Sequence, residues 1–292
     1  MSDRVPQEEA RIPLSESNVR SSRISLARLV SSMSFESQAR SPFSLAGKTA
    51  LVTGGARGLG FAFSSAAARA GAHVVLNDND GEALADAVRK LRDEGLSCSA
   101  SRFDVTSERE VFSAVEKIAM ERGRIDTLVN NAGNQNRKPF LDYTVAEWQS
   151  ILDVHLTGSF LVSQAVIKRM LAQGGGSIIM IGSIMVECGR GTIAPYRAAK
   201  AAVTALGKQL AVEFGPHNVR CNIIAPGYVE TDLTRDLVAN ADLHASIARR
   251  VPQGRWAKPD DVAPAMVFLS SDAGRYVNGH VLHVDGGTLA SL

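Results

Sequence analysis

An α/β fold with a parallel sheet is predicted by three observations on this chain. Short β-branched runs alternate with amphipathic helical stretches, a glycine cluster follows the first run, and an acidic residue closes the second. Runs of strand character occur at 49–53, 73–77, 99–103, 127–130, 177–181, 220–224 and 280–284, with helical stretches between them. Right-handed crossovers through such helices cover both faces of one sheet and leave a binding edge at the strands' C-terminal ends.

The first run ends in TGGARGLG, which reads as strand, tight turn, helix. Gly54, Gly58 and Gly60 are spaced G-x-x-x-G-x-G, so the backbone at Arg57 and Leu59 and the helix N-terminus can approach a pyrophosphate with no side chain between. The second run closes at Asp78, a position from which a carboxylate accepts from both hydroxyls of an adenosine ribose and repels a 2′-phosphate. Asp78 therefore favours NAD, whereas Arg57 could reach the extra phosphate of NADP.

After the fifth run comes SIMVECGRGTIAPYRAAK, which carries Ser183, Tyr196 and Lys200. Pro195 suits the first turn of a helix, on which Tyr196 and Lys200, four apart, share a face. Bringing a phenol from its ordinary pKa of about 10 to near 7 takes roughly 4 kcal/mol, which a desolvated ammonium and a cofactor's positive charge can supply. Tyr196 would then serve as acid and base, with Ser183 holding the substrate oxygen.

With these motifs in order, the chain from about residue 44 to its end resembles the short-chain dehydrogenase/reductase family. The resemblance implies a single Rossmann-type doubly wound parallel sheet with helices on both faces, a dinucleotide-binding catalytic domain spanning 44–292, and a homotetramer built from long-helix and last-strand contacts. It places Asp104 and Val105 against the adenine ring, assigns Asn131, Ala132 and Gly133 to the NNAG motif, and sets Pro226, Gly227, Val229 and Thr231 beside the nicotinamide. Tyr196 and Lys200 are implied in cofactor binding as well as catalysis. His155, in DVHLTGSF, stands where the family usually has an asparagine that holds a water of the lysine's proton relay. A histidine titrating near pH 6.5 would add a pH dependence there.

NAGNQNRKPF and SIMVECGRGTIAPY resemble the loops of gluconate 5-dehydrogenases and their relatives. Arg137 is then the candidate for a sugar-acid carboxylate, and Glu187 and Arg190 join Ser183 and Tyr196 as substrate candidates. The expected function is NAD(P)-dependent interconversion of a secondary alcohol and a ketone on a sugar acid of the gluconate/5-ketogluconate type. A 3-oxoacyl thioester reductase or generalist alcohol dehydrogenase is the alternative, and a deoxygluconate dehydrogenase acting at a neighbouring carbon is another. A weakened nucleotide-binding regulatory protein is the reading from a different class.

Composition narrows the setting. A net charge of +2 gives no reason to invoke nucleic acid or membrane, and no stretch of about 18 apolar residues is expected to span a bilayer. Cys98, Cys188 and Cys221 are odd in number and lack metal spacing, which suits a reducing, cytoplasmic compartment. His280 and His283 would face opposite sides of a strand, so no metal site is expected. Residues 1–43 are rich in serine, arginine and glutamate without apolar period and are expected to be a disordered extension. Asp3, Glu8, Glu9 and Glu16 argue against a targeting role for them.

Overall fold

The computed structural model describes residues 41–291, so the expectation for the leading segment lies almost wholly outside the described residues. Seven parallel strands form one sheet: β1 (Thr49–Val52), β2 (His73–Leu76), β3 (Cys98–Ala100), β4 (Thr127–Asn130), β5 (Gly176–Ile181), β6 (Val219–Pro226) and β7 (Val281–Val284). Their order is β3-β2-β1-β4-β5-β6-β7, so the winding reverses between β1 and β4 and a crevice opens there at the strands' C-terminal ends.

Nine α-helices accompany them among the described residues: α1 (Gly58–Arg69), α2 (Gly81–Asp93), α3 (Glu108–Arg122), α4 (Val145–Leu152), α5 (Gly158–Gln173), α6 (Ala194–Phe214), α7 (Arg235–Ala239), α8 (Ala241–Ala248) and α9 (Pro259–Ser270). Alternate strand residues divide between two cores, as the two-residue period of a pleated strand requires. Ala50, Val52, Val74 and Leu76 pack with α1, α2 and α9, whereas Leu51 and Val75 pack with α3, α5 and α6. The doubly wound sheet with helices on both faces is thus the observed architecture.

All seven expected strands form; β4 has the expected bounds, four others differ by one residue at one end, and the larger differences at β3 and β6 have local reasons. β3 stops at Ala100 because the Asn77 side-chain amide donates to the carbonyls of Ser101 and Phe103, replacing the ladder with a side-chain cap. β6 runs on to Pro226, which lies in register with Val284 of β7.

Between α4 and α5 the chain makes a π-helical turn, Asp153–Thr157, that holds His155. With that turn, Val145–Gln173 is one helical run whose length and mean hydropathy would let it span a membrane, although Glu147 and Asp153 interrupt its apolar residues and half of its most apolar window is buried within the protein. That burial fits a core helix.

Candidate active site

The glycine turn after β1 is held open by close approach. A Cβ on Gly60 would lie 1.9 Å from the Gly54 carbonyl oxygen, and one on Gly54, at φ +59°, would lie 2.9 Å from the Ala132 Cα. Thr53 and Asn131 lock this turn onto the end of β4. The Thr53 hydroxyl accepts from the Asn131 and Ala132 N–H groups, and the Asn131 amide donates to the Thr53 and Gly54 carbonyls, each at 3.0 or 3.1 Å.

A cleft of about 610 Å³ starts at this turn, where Gly54, Arg57, Gly58, Leu59 and Gly60 meet Asp78. It passes Asp104, Val105 and Asn131–Gly133 and ends at Tyr196, Lys200 and Thr231. An elongated crevice with a side-chain-free turn at one end and a proton-transfer pair at the other fits a nicotinamide dinucleotide. Pro226 and Val229 are buried and do not line the cleft; Val229 joins the core beneath it.

Asp78 accepts the Asp80 N–H at 3.1 Å and keeps its place at the cleft wall. Arg57 pairs with Asp80 at 3.2 Å, which draws its guanidinium toward a carboxylate that also caps α2.

Tyr196 and Lys200 stand on consecutive turns of α6, with Pro195 in its first turn as expected, and Ser183 stands two residues beyond β5. The Lys200 ammonium donates to the Ile181 carbonyl at 2.6 Å and lies 5.7 Å from the centre of the Tyr196 ring. Burial lowers the Lys200 pKa to about 7. The Tyr196 phenol is pushed up by burial, an effect opposed by a hydrogen bond with Ser183 and by the Arg137 guanidinium. The expected depression of Tyr196 by its lysine neighbour is therefore not produced by the protein groups, because Lys200 is turned to a carbonyl and burial outweighs what remains.

His155 departs further from expectation. Its Nε2 lies 2.8 Å from the Asn134 carbonyl and 3.2 Å from the Asn134 nitrogen; the shorter contact makes Nε2–H the donor, leaving Nδ1 a buried acceptor without a protein partner among the described residues. The ring meets Tyr196 edge-on at 5.4 Å, and a Cβ on Gly133 would lie 2.4 Å from its Cε1. Burial, reinforced by Lys200, lowers the His155 pKa to about 3. No titration near pH 6.5 remains, because the ring is enclosed where its cation would lose its hydration.

Next to Tyr196 a second cavity, of about 70 Å³, contains Ser183, Arg137, Arg190 and Gln135. The Arg137 Nη1 donates to the Leu233 carbonyl at 3.1 Å, while its Nε is buried without a partner among the described residues. Burial and then the Arg190 charge lower the Arg137 pKa, and neither arginine forms an ion pair among the described residues. Gly227 also lines this cavity. Glu187 does not: it is exposed and pairs with His283 of β7 at 2.9 Å.

Sequence reasoning missed three contributors. Thr53 heads the TGGARGLG turn, in which only the glycines and Arg57 and Leu59 carry an expected role, yet its hydroxyl anchors the NNAG segment. Tyr143 places its hydroxyl between the carbonyls of Asn136 and Thr192, tying the Arg137 loop to the loop before Tyr196. Thr192 holds a positive φ of 70°, unusual for a β-branched residue, and its carbonyl also accepts the Lys138 N–H. No local spacing signals any of the three.

A dinucleotide crevice ending at a tyrosine and a lysine, with a serine in the cavity that adjoins the tyrosine, defines a nicotinamide-dependent oxidoreductase. The chain belongs to the short-chain dehydrogenase/reductase family, and its residues 54–288 match the family model described as enoyl-(acyl carrier protein) reductase. It is 44% identical over 250 residues to a 5-keto-D-gluconate 5-reductase of Escherichia coli, covering 86% of this chain and 98% of the relative. Its identity to a gluconate 5-dehydrogenase of Gluconobacter oxydans is 42% over 250 residues, with the same coverage of 86% and 98%. A gluconate 5-dehydrogenase from Burkholderia cenocepacia, solved in complex with NADP and tartrate, superposes with a TM-score of 0.84 at 40% identity, covering 87% of this chain and 100% of that one.

Proposed function

We propose that this enzyme interconverts a secondary hydroxyl of a sugar acid with the corresponding ketone, of the gluconate/5-ketogluconate type, with NAD preferred to NADP. The observation that carries the reading is the Arg137–Arg190 pair: two guanidiniums that form no ion pair among the described residues share a cavity with Ser183 and Tyr196. Like charges held together in a partly desolvated wall favour an anion between them, and a guanidinium grips a carboxylate through two parallel hydrogen bonds. The relatives named above act on gluconate or its ketone, and tartrate, found in the Burkholderia enzyme, is a hydroxy acid. A long acyl chain would need a long apolar slot, and a cavity of about 70 Å³ is too small for one, although Met185, Ile193, Leu233 and Leu237 give it apolar walls.

In this reading the Ser183 hydroxyl holds the reacting oxygen and the Tyr196 phenol passes a proton to or from it. Arg137 binds the carboxylate and adds a positive charge that favours the phenolate. Lys200, anchored to Ile181, keeps a second cation beside the Tyr196 ring when protonated. When bound, the nicotinamide ring would supply the hydride donor or acceptor. Gly54, Gly58 and Gly60 would leave room for the pyrophosphate, and Asp78 would take the ribose hydroxyls, with Arg57 drawn away toward Asp80. His155 would position Tyr196 and Asn134 as a neutral ring.

The same reading makes the protein a cytoplasmic homotetramer. Its three cysteines are free, and Phe160, Leu171 and Val212 leave apolar surface exposed on α5 and α6.

Steady-state kinetics with D-gluconate and an uncharged secondary alcohol test the proposal, with Tyr196→Phe as the inactive control. Arg137→Ala is expected to raise KM for gluconate about tenfold to a hundredfold, the equivalent of a charge-assisted pair, and to leave KM for the neutral alcohol nearly unchanged, while any fall in kcat from the charge lost beside Tyr196 is common to both substrates. Equal effects on both would favour the generalist dehydrogenase.

A further inference from the structure

Gln135 and Arg137, which line the cavity beside Tyr196, each carry a buried polar atom, of opposite kind, that is unmatched among the described residues. Among the described residues the Arg137 Nε–H is a donor without an acceptor, and the Gln135 amide oxygen is an acceptor without a donor. They belong to one short loop and do not bond each other. The peptide between them is fixed, since the Asn136 carbonyl meets the Tyr143 hydroxyl and the Asn136 amide donates to Glu147 at 3.2 Å. Such a fixed pair asks for a ligand that presents an acceptor and a donor close together.

A bare carboxylate satisfies only the arginine, because it carries no hydrogen. A carboxylate bearing a hydroxyl on the adjacent carbon satisfies both. We propose that Gln135 is a specificity-determining residue that accepts a hydrogen bond from the substrate's α-hydroxyl while Arg137 holds the carboxylate, so that the enzyme selects α-hydroxy acids over their 2-deoxy counterparts. The proposal rests on the sugar-acid reading above and adds to it which hydroxyl is read and by which residue. A site built to bond a hydroxyl rejects the analogue that lacks it, because its own buried acceptor is then stranded.

The test is kcat/KM for D-gluconate and for 2-deoxy-D-gluconate, measured on the wild type and on Gln135→Met, which keeps the volume and removes the acceptor. Dinucleotide affinity is titrated on both proteins. The wild type is expected to prefer gluconate by at least about tenfold, and the variant to lose about tenfold to a hundredfold on gluconate while 2-deoxygluconate stays within about threefold and dinucleotide affinity is unchanged. Equal losses on the two acids, or a preference that survives the substitution, overturn the role of Gln135. If Gln135→Met does not bind dinucleotide, the ratio is read on Gln135→Asn, whose shorter arm withdraws the same acceptor; a persisting preference there overturns the proposal equally. A wild type that turns over neither acid but oxidises an uncharged alcohol overturns the sugar-acid reading itself, a result distinct from an acid-active enzyme indifferent to position 135.

Discussion

At the scale of single residues, burial decides chemistry that residue type leaves open. His155 is held neutral because its ring is enclosed between Gly133 and Tyr196 and lies near the Lys200 charge. Its folded-state pKa, about 3, lies below the ordinary value of 6.5. As pH falls below 6.5 the unfolded chain takes up a proton that the folded protein refuses, so stability is present above 6.5 and drains away toward pH 3. Between pH 6.5 and 5 this one group accounts for a loss of roughly 1.5 kcal/mol. His155→Asn should therefore show a shallower fall of Tm with acidification than the wild type, although it is less stable at pH 7.5 through lost contacts. Thermal melts at half-unit steps of pH read both effects, and parallel curves would mean that the ring already titrates normally. Catalytic pH profiles of the two proteins between pH 6 and 7 should coincide in any contribution from position 155.

At the scale of elements, the turn from β1 into α1 shows why spacing alone understates a constraint. Three glycines in G-x-x-x-G-x-G permit a tight turn on any reading, but only the folded chain shows that Gly60 presses against the Gly54 carbonyl and that Asn131, from β4's end, bonds the same carbonyl. The backbone oxygen cannot move away without breaking that bond. Gly60→Ala is expected to destabilise the protein by about 1–3 kcal/mol and to weaken dinucleotide binding at least tenfold. Denaturant titration and fluorescence titration with the dinucleotide measure the two. β3 teaches the complementary lesson: its strand character runs to residue 103, yet the Asn77 amide ends the ladder early and turns Asp104 toward the cleft. That amide acts across 24 to 26 residues of chain, beyond the reach of any local pattern.

For the whole molecule, the crevice between β1 and β4 joins the two halves of the sheet, so a ligand bound there couples to global stability. A dinucleotide at a hundredfold excess over its Kd should add about 2.7 kcal/mol, or about 5 °C in Tm for a unit of this size. With NAD and NADP at equal concentration the NAD shift should be the larger, and Asp78→Ala should narrow the gap. A larger NADP shift in the wild type would show that Arg57 outweighs Asp78 despite its pairing with Asp80.

The seven strands, the parallel sheet, the glycine turn, the place of Asp78 just after the second strand and the sharing of one helix by Tyr196 and Lys200 were legible in the sequence, because each rests on local rules. Those rules are a two-residue or 3.6-residue period, a steric freedom at glycine, and a four-residue spacing on a helix. What only the tertiary structure decided depends on desolvation and on partners distant in sequence. Lys200 turns to Ile181, His155 loses its proton affinity, Glu187 goes to His283 rather than to the cavity, and Gln135 joins Arg137 there. A side chain's charge and its choice of partner follow from how much water it keeps and which chain segments fold against it, and neither is written in the residues beside it.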